Sequence, residues 1–126
     1  MPVAYPPFKP CPCGSGHSYQ RCCQPAHLGH PAPTPEALMR SRYAAFALQD
    51  MAYVRRTWHP DTRPADLEPG PEKYVGLRIH SAQDDQVEFT ARLKLPDGRA
   101  ARFRERSRFV RLDGAWTYLD GEVKEG

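Results

Sequence analysis

The sequence predicts an α+β fold in which two helices precede a curved antiparallel sheet, with a small cysteine-rich module in front. Apolar residues recur at helical spacing after Thr34, and their period changes to two from about Tyr74 onward. All four cysteines and nine of the fourteen prolines lie at or before Pro35. We therefore divide the chain into two units. Residues 1–33 form a short cysteine-containing loop module, the knuckle, with a proline-rich linker, and residues 34–126 form an α+β domain.

Composition and charge are those of an ordinary globular chain, with 40% apolar and 26% charged residues. The net charge of +3 is too small to indicate nucleic-acid binding by itself. No apolar run approaches the roughly 18 residues that cross a bilayer, and the start of the chain lacks a signal segment. We therefore expect a cytoplasmic protein with no membrane partner, in which cysteines stay free or bind metal.

The four cysteines have the spacing of a metal site. Cys11 and Cys13 are separated by one residue, and Cys22 and Cys23 are adjacent after an eight-residue gap. Zinc takes four sulfur or nitrogen ligands in a tetrahedron, and two close pairs on a tight, glycine-containing loop can supply them. We predict zinc at these four thiolates. A closed set of four ligands indicates a structural or interaction role, because catalysis needs an open coordination position.

Other interpretations of the cysteine module stay open at this point. The cysteines could form disulfides or be reactive thiols, although adjacent cysteines cannot easily pair and no export signal is present. Thiolate ligands also accept iron in place of zinc. Three nearby histidines could each replace one cysteine ligand: His17, His27 and His30. A segment this short and rich in proline needs a staple such as metal to be ordered.

Two helices are predicted to follow the linker. Thr34 can cap a helix of about fifteen residues that has Pro35 at its first position, where proline is favoured. Asp50 can cap a second, shorter helix through Trp58. His59 ends that helix, because a residue that precedes proline avoids the α region.

Beyond a proline-rich loop at 59–73, the chain alternates between apolar and polar residues. Turn signals at Pro96-Asp97-Gly98 and Asp113-Gly114 separate the alternating runs and indicate hairpins. The predicted strands are 74–79, 87–95, 101–111 and 115–119.

The strand 101–111 places polar residues on the same face as aromatic ones. Phe103 and Phe109 alternate with Glu105 and Ser107 on one side, so a core-facing Phe pair brings the carboxylate inward. A buried carboxylate needs a partner because its desolvation costs several kcal/mol. The candidate partners of this carboxylate are Arg42, Arg78, His59, His80 and Tyr43.

Two interpretations of Glu105 follow. In the first it forms a pocket with Trp58, His59, Ser107 and Tyr43, which predicts a small-ligand binder or an enzyme. In the second, which we favour, it forms an internal ion pair that fixes the helix against the sheet. No nucleophile–base pair can be recognised from the spacing, so we predict no catalytic residue. A protein that is not an enzyme is favoured, and an enzyme stays the alternative.

The opposite face of the predicted strands 87–95 and 101–111 is basic, and Glu88 partly neutralises its positive charge. A basic sheet face can bind a phosphate backbone or an acidic protein. It can equally be a solvated outer face, and the absence of aromatic residues between the cations disfavours single-strand recognition. The basic residues are Arg92, Lys94, Arg102, Arg104, Arg106 and Arg108.

Two resemblances add to these patterns. Cys-Pro-Cys-Gly-Ser-Gly at 11–16, followed by Tyr19 and the Cys22-Cys23 pair, resembles the SEC-C motif of the bacterial translocase motor SecA. In SecA that tail binds zinc and contacts the chaperone SecB and the ribosome. The blocks Glu-Ala-Leu-Met-Arg-Ser-Arg-Tyr at 36–43, Thr-Trp-His-Pro at 57–60, Glu-Arg-Ser-Arg-Phe at 105–109 and Gly-Ala-Trp at 114–116 resemble the YchJ-like family.

The YchJ-like resemblance implies a nuclear transport factor 2-like cone, in which two helices pack on a curved sheet that surrounds a pocket. It also implies that the cone follows a SEC-C knuckle. We therefore expect a zinc-binding adaptor whose knuckle contacts a protein partner, with the ribosome and secretion components as candidates. The alternative is a small-ligand binder or enzyme that uses the cone pocket around Trp58, His59 and Glu105.

Overall fold

A computed structural model describes residues 5–124, so the ends of both predicted units, residues 1–4 and 125–126, lie outside the described residues. The knuckle contains a 3₁₀ turn and a four-residue helix, and the second unit contains two helices and four strands. The 3₁₀ turn is Tyr19–Arg21, and the helices are α1 (Gln24–His27), α2 (Pro35–Leu48) and α3 (Met51–Arg56). The strands are β1 (Lys73–Gln83), β2 (Gln86–Lys94), β3 (Ala100–Leu112) and β4 (Ala115–Lys124).

Side-chain caps begin both helices of the second unit. The Thr34 hydroxyl accepts a hydrogen bond of 3.0 Å from the Ala37 N–H, and Pro35 is the first residue of α2, as predicted. The Asp50 carboxylate likewise accepts from the Tyr53 N–H at 3.2 Å and begins α3. These contacts confirm the two predicted helix starts.

The predicted end of α3 at Trp58 is wrong, because the helix ends two residues earlier, at Arg56. The chain then leaves the helix, and Trp58 forms a β-bridge with Tyr118 of β4. The Tyr118 N–H donates to the Thr57 carbonyl, and the His59 N–H donates to the Tyr118 carbonyl, both at 2.8 Å. A pair of sheet hydrogen bonds therefore replaces the last helical turn.

The four strands form one antiparallel sheet in the order β1-β2-β3-β4. The predicted turns are present: Asp113 and Gly114, with φ of 52° and 84°, connect β3 to β4, and the loop at 95–99 connects β2 to β3. Two strands are longer than predicted, since β1 extends to Gln83 and β4 to Lys124. A register shift interrupts the β3–β4 pairing between Arg108 and Phe109.

The core lies between α2 and the inner face of the sheet. Buried side chains of β2 and β3 face it, and β2 contributes Val87, Phe89 and Ala91. Leu38, Met39 and Tyr43 of α2 pack in the same cluster. Burying these apolar side chains stabilises the helix against the sheet, at about 25 cal/mol per Å² of apolar area.

The knuckle packs into this same core. Cys11, Cys13, Tyr19 and Cys23 are buried in one cluster with Leu38 and the other core residues of the second unit. The knuckle has too few apolar residues to form its own core, as its composition indicates, and it gains one by packing on α2. Among residues 5–124, no helix is long and apolar enough to cross a membrane.

Candidate metal centre and cone cavity

The backbone of the knuckle brings the two cysteine pairs together. A bridge between Pro10 and Ser18 closes the loop that carries the first pair, and within this loop Gly14 and Gly16 have positive φ of 78° and 91°. Glycine adopts this left-handed region without the steric cost that a Cβ brings. The 3₁₀ turn that starts at Tyr19 then delivers the second pair.

The four cysteine sulfurs form a compact cluster. All four Sγ atoms of Cys11, Cys13, Cys22 and Cys23 lie within 4.8 Å of one another. The Cys13 and Cys22 sulfurs are 3.5 Å apart, and those of Cys22 and Cys23 are 3.9 Å apart. A tetrahedral zinc site with Zn–S bonds of about 2.3 Å has sulfurs about 3.8 Å apart, so the donor set fits such an ion. The cysteines are free thiols, which excludes the disulfide interpretation.

Hydrogen bonds among the sulfurs favour one thiolate over its neighbours. The hydrogen bond from Cys11, followed by that from Cys23, lowers the pKa of Cys13 far below its usual range. The same contact raises the pKa of Cys11 to about 12, and hydrogen bonds to Cys11 and Cys13 raise that of Cys23. A divalent cation at the cluster would replace these shared protons and stabilise all four thiolates.

Ser15 of the knuckle loop and Arg40 of α2 support the cluster. The Ser15 hydroxyl lies 3.1 Å from the Cys22 sulfur. Arg40 of α2 donates from Nη1 to the Cys13 carbonyl at 3.3 Å, and the same nitrogen lies 4.0 Å from the Cys13 sulfur. The guanidinium therefore places a positive charge beside a site whose four thiolates and one divalent cation sum to a negative charge.

None of the three histidines that could have replaced a cysteine lies in the cluster. His27 bridges the knuckle and α2, since its Nδ1 lies 2.6 Å from the Tyr19 hydroxyl and its Nε2 lies 2.8 Å from the Ser41 carbonyl. The carbonyl can only accept, so Nε2 carries the proton and Nδ1 accepts from the tyrosine. Burial lowers the pKa of His27. His17 and His30 are outside the sulfur cluster.

A second candidate site lies between α2 and the inner face of the sheet. It is a cavity of about 150 Å³, and four of the five predicted pocket residues line it. These four are Tyr43, Trp58, Glu105 and Ser107. The fifth, His59, is not among its lining residues, so that part of the prediction is wrong. The His59 ring instead contacts its own loop, where Nδ1 accepts from the Asp61 N–H at 3.0 Å.

Hydroxyl groups, and not cations, bind the Glu105 carboxylate. Its Oε2 accepts from the Ser107 hydroxyl at 2.7 Å and from the Tyr118 hydroxyl at 2.9 Å. Burial and the nearby carboxylate raise the pKa of Tyr118 above its usual range, so the phenol keeps its proton. None of the five predicted partners bonds Glu105 in residues 5–124, and the ion pair that we favoured is therefore wrong.

Arg42 lies close to this carboxylate but is held by other groups. Its Nη1 donates to the Val54 carbonyl at 2.9 Å and to the Thr57 hydroxyl at 2.8 Å. Its guanidinium carbon lies 5.1 Å from the Trp58 ring centre and 4.6 Å from that of Tyr118. Burial lowers the pKa of Arg42 to about 10, which keeps it charged at neutral pH.

Gly121 leaves the space that the Glu105 carboxylate occupies. A Cβ at this position would collide with Oε2 of Glu105 and lie 2.8 Å from the Tyr118 hydroxyl. We expect Gly121→Ala to lower the free energy of unfolding by about 1–3 kcal/mol, measured by urea denaturation. Val123→Ala, an exposed change on the same strand, should stay within about 0.5 kcal/mol.

The cause of that loss can be checked by removing the carboxylate. In the double variant Gly121→Ala with Glu105→Ala, the collision is absent, so the two changes should cost less than their sum. Strictly additive losses would show that Gly121 is not required by the carboxylate.

The basic outer face is partly neutralised within the sheet. Glu88 accepts from Arg104 at 2.6 Å and from Arg106 at 3.1 Å, and the Lys124 ammonium lies 3.5 Å away. Hydrogen bonds, first of all from Arg104, lower the pKa of Glu88 to about 2. Arg108 pairs with Asp120 at 2.6 Å. The three other predicted cations have no ion pair among residues 5–124: Arg92, Lys94 and Arg102.

Comparisons with known proteins cover both units of the chain. Residues 34–121 match the family described as YchJ, middle NTF2-like domain, and residues 9–25 match the SEC-C motif. A UPF0225 protein of Deinococcus radiodurans is 68% identical over 121 residues, covering 94% of this chain and 93% of the relative. A UPF0225 protein of Ralstonia nicotianae is 49% identical over 136 residues and covers 93% of each chain.

Two solved structures are similar to this fold. The solution structure of a SEC-C motif containing protein from Rhodopseudomonas palustris superposes with a TM-score of 0.80 at 36% identity, covering 91% of this chain and 98% of that one. The crystal structure of a SEC-C motif containing protein from Psychrobacter arcticus gives a TM-score of 0.72 at 28% identity, covering 95% and 85%. The knuckle and the cone therefore occur together in known proteins.

Proposed function

The chain belongs to the YchJ family, and from that premise we propose that it is a zinc-binding adaptor whose knuckle docks on a protein partner. The observation that carries the proposal is the closed cluster of four cysteine sulfurs, all within 4.8 Å of one another. Four thiolates fill a tetrahedral ion and leave no position for substrate or water. The role of the metal is then to hold the backbone of the knuckle in the shape that the partner binds.

Zinc is the ion that this role requires. It has no redox chemistry and accepts the tetrahedral geometry of four thiolates without strain. Iron also accepts four thiolates, and it would absorb visible light. Metal analysis of the native chain, together with its visible spectrum, distinguishes the two ions. A colourless protein with one zinc per chain supports the proposal, and stoichiometric iron contradicts it.

The exposed side chains of the knuckle are the proposed contact surface. Phe8 and Leu28, which flank the cysteine cluster in sequence, are 73% and 71% exposed. They are two of the four large apolar side chains exposed in residues 5–124, and both lie in the knuckle. Exposed apolar side chains framed by polar residues are typical of protein contact sites. A protein surface, including a ribosomal protein, is therefore the proposed partner.

The experiment compares partner capture by four forms of the tagged chain, each prepared with zinc supplied. Proteins that copurify with the wild type from cells are identified by mass spectrometry, and the strongest candidate is purified and titrated. We expect Cys22→Ser to lose both the metal and this partner. Phe8→Ser should retain the metal and weaken the partner at least about tenfold, as the loss of a central apolar contact does.

Val75→Ser is the matched control, because it removes an exposed apolar side chain far along the sequence, on β1. It should bind the partner as the wild type does. A partner that binds the wild type, Cys22→Ser and Phe8→Ser with equal affinity would contradict the adaptor role of the knuckle.

A further inference from the structure

The cavity under α2 has the size and lining of a small-molecule site. Its volume is about 150 Å³, and aromatic rings form most of its wall. Tyr43 and Phe46 of α2 meet Tyr74 of β1 at ring-centre distances of 5.6 and 5.7 Å. Phe89 and Phe103 meet at 6.0 Å on the sheet. An apolar cavity of about this volume is large enough to hold one benzene ring.

One oxygen of the Glu105 carboxylate is available to a guest. Both hydrogen bonds that Glu105 accepts in residues 5–124 go to Oε2, and Oε1 accepts none. An oxygen of a partly buried carboxylate forms strong hydrogen bonds when a donor reaches it. The wall therefore favours a guest that carries an O–H or N–H group.

The charges of the lining select a neutral guest. Arg42 brings one positive charge and Glu105 one negative charge to the same cavity. Aromatic faces often bind cations, but Arg42 already lies over Trp58 and Tyr118. Because these two charges compensate each other, an added cation or anion would leave a net charge in a largely apolar cavity, where an uncompensated charge is costly.

We propose that the cone binds a neutral, single-ring aromatic molecule that donates a hydrogen bond to Oε1 of Glu105. The ring occupies the aromatic wall, and its hydroxyl or amino group faces the carboxylate. This site is separate from the metal centre and goes beyond the adaptor role of the knuckle. It is also independent of that role, since a cone that binds phenol and a knuckle that binds no partner can coexist.

The test titrates the full, metal-loaded chain with four probes of similar size and different polarity: phenol, toluene, benzoate and benzylammonium. Binding is followed by backbone NMR shifts. We expect phenol to bind about tenfold more tightly than toluene, because a hydrogen bond to a charged acceptor contributes about this factor. Both ions should bind more weakly than phenol. The largest shifts should occur at residues of the cavity wall, such as Phe89 and Phe103.

Variants separate the hydrogen bond from the shape of the cavity. In Glu105→Leu the preference for phenol over toluene should vanish while toluene still binds, which shows that the cavity persists. If this variant does not fold, Glu105→Gln should reduce the preference, since hydrogen bonds to neutral acceptors are about half as strong. Glu122→Gln, an exposed change on β4, should leave both affinities unchanged.

Several outcomes would overturn the proposal. These are equal affinities for phenol and toluene, tighter binding of either ion, shifts confined to residues outside the cavity, or no binding by any probe. A phenol preference that survives in Glu105→Leu would also overturn it, because the carboxylate would then not be the acceptor.

Discussion

Removal of the metal by a strong chelator should lower the melting temperature of the whole chain, cone included, by more than about 10 °C. The physical reason is the shared core. Cys13 is fully buried, and Cys11 and Cys23 are nearly so, in one cluster with Leu38 and Met39 of α2. Without the cation, the metal–sulfur bonds that join the two cysteine pairs would be lost, so the knuckle would open and expose the helix.

The size of the effect follows from two magnitudes. Structural zinc contributes roughly 10–16 kcal/mol of binding free energy to isolated zinc-finger peptides. In this chain we expect most of that free energy to be used in ordering the knuckle. If about 3 kcal/mol of the binding free energy stabilises the cone, the melting temperature changes by about 10 °C or more. The reason is that 1 kcal/mol shifts the melting temperature by roughly 4 °C in a domain of this length. Calorimetry with and without chelator measures the shift.

The control is Cys22→Ser, the half-buried ligand whose replacement disturbs packing least. This variant should melt at the lower temperature and should not respond to chelator. A cone transition that chelator leaves unchanged in the wild type would show that the knuckle is an independent unit on a linker.

Contacts between the knuckle and α2 explain why the two should unfold together. His27 hydrogen-bonds the Tyr19 hydroxyl on one side and the Ser41 carbonyl on the other. Arg40 reaches from α2 to the Cys13 carbonyl. These bonds join the metal loop directly to α2, although a proline-rich segment separates the two in sequence.

Local signals in the sequence are sufficient for most of the fold. Thr34 and Asp50 are caps with hydroxyl or carboxylate oxygens, and the Asp113-Gly114 turn has residues that tolerate positive φ. The cysteine spacing likewise predicts the sulfur cluster, because all four ligands lie within thirteen residues. Each of these features depends on neighbours in sequence, where residue type decides geometry.

Features that depend on distant residues are the ones that the sequence does not reveal. Tyr118 donates to Glu105 because a register shift after Arg108 and the space at Gly121 bring β4 into place. Trp58 leaves its helix because Tyr118 offers sheet hydrogen bonds that local propensity does not include. Tyr118 lies inside the predicted strand 115–119, but its pairing with Phe109 depends on that register shift, which the alternation of β4 does not reveal.

Arg42→Met should be the most destabilising substitution in the cone, with a loss of about 3–5 kcal/mol in the free energy of unfolding. Arg42 is 4% exposed and donates to the Val54 carbonyl and the Thr57 hydroxyl. Methionine fills part of the space but donates nothing, so the Val54 carbonyl loses a hydrogen bond. It also removes the positive charge that compensates Glu105 across the cavity.

Two further variants identify the source of this loss, and the stability of all three variants is measured by urea denaturation. Arg42→Lys keeps the charge but lacks the planar group that lies over Trp58 and Tyr118, so its loss should be intermediate. Arg55→Met, an exposed arginine of α3 that bonds one carbonyl, should cost less than about 1 kcal/mol. If Arg42→Met costs no more than Arg55→Met, the hydrogen bonds of the buried guanidinium to Val54 and Thr57 do not contribute to stability as proposed.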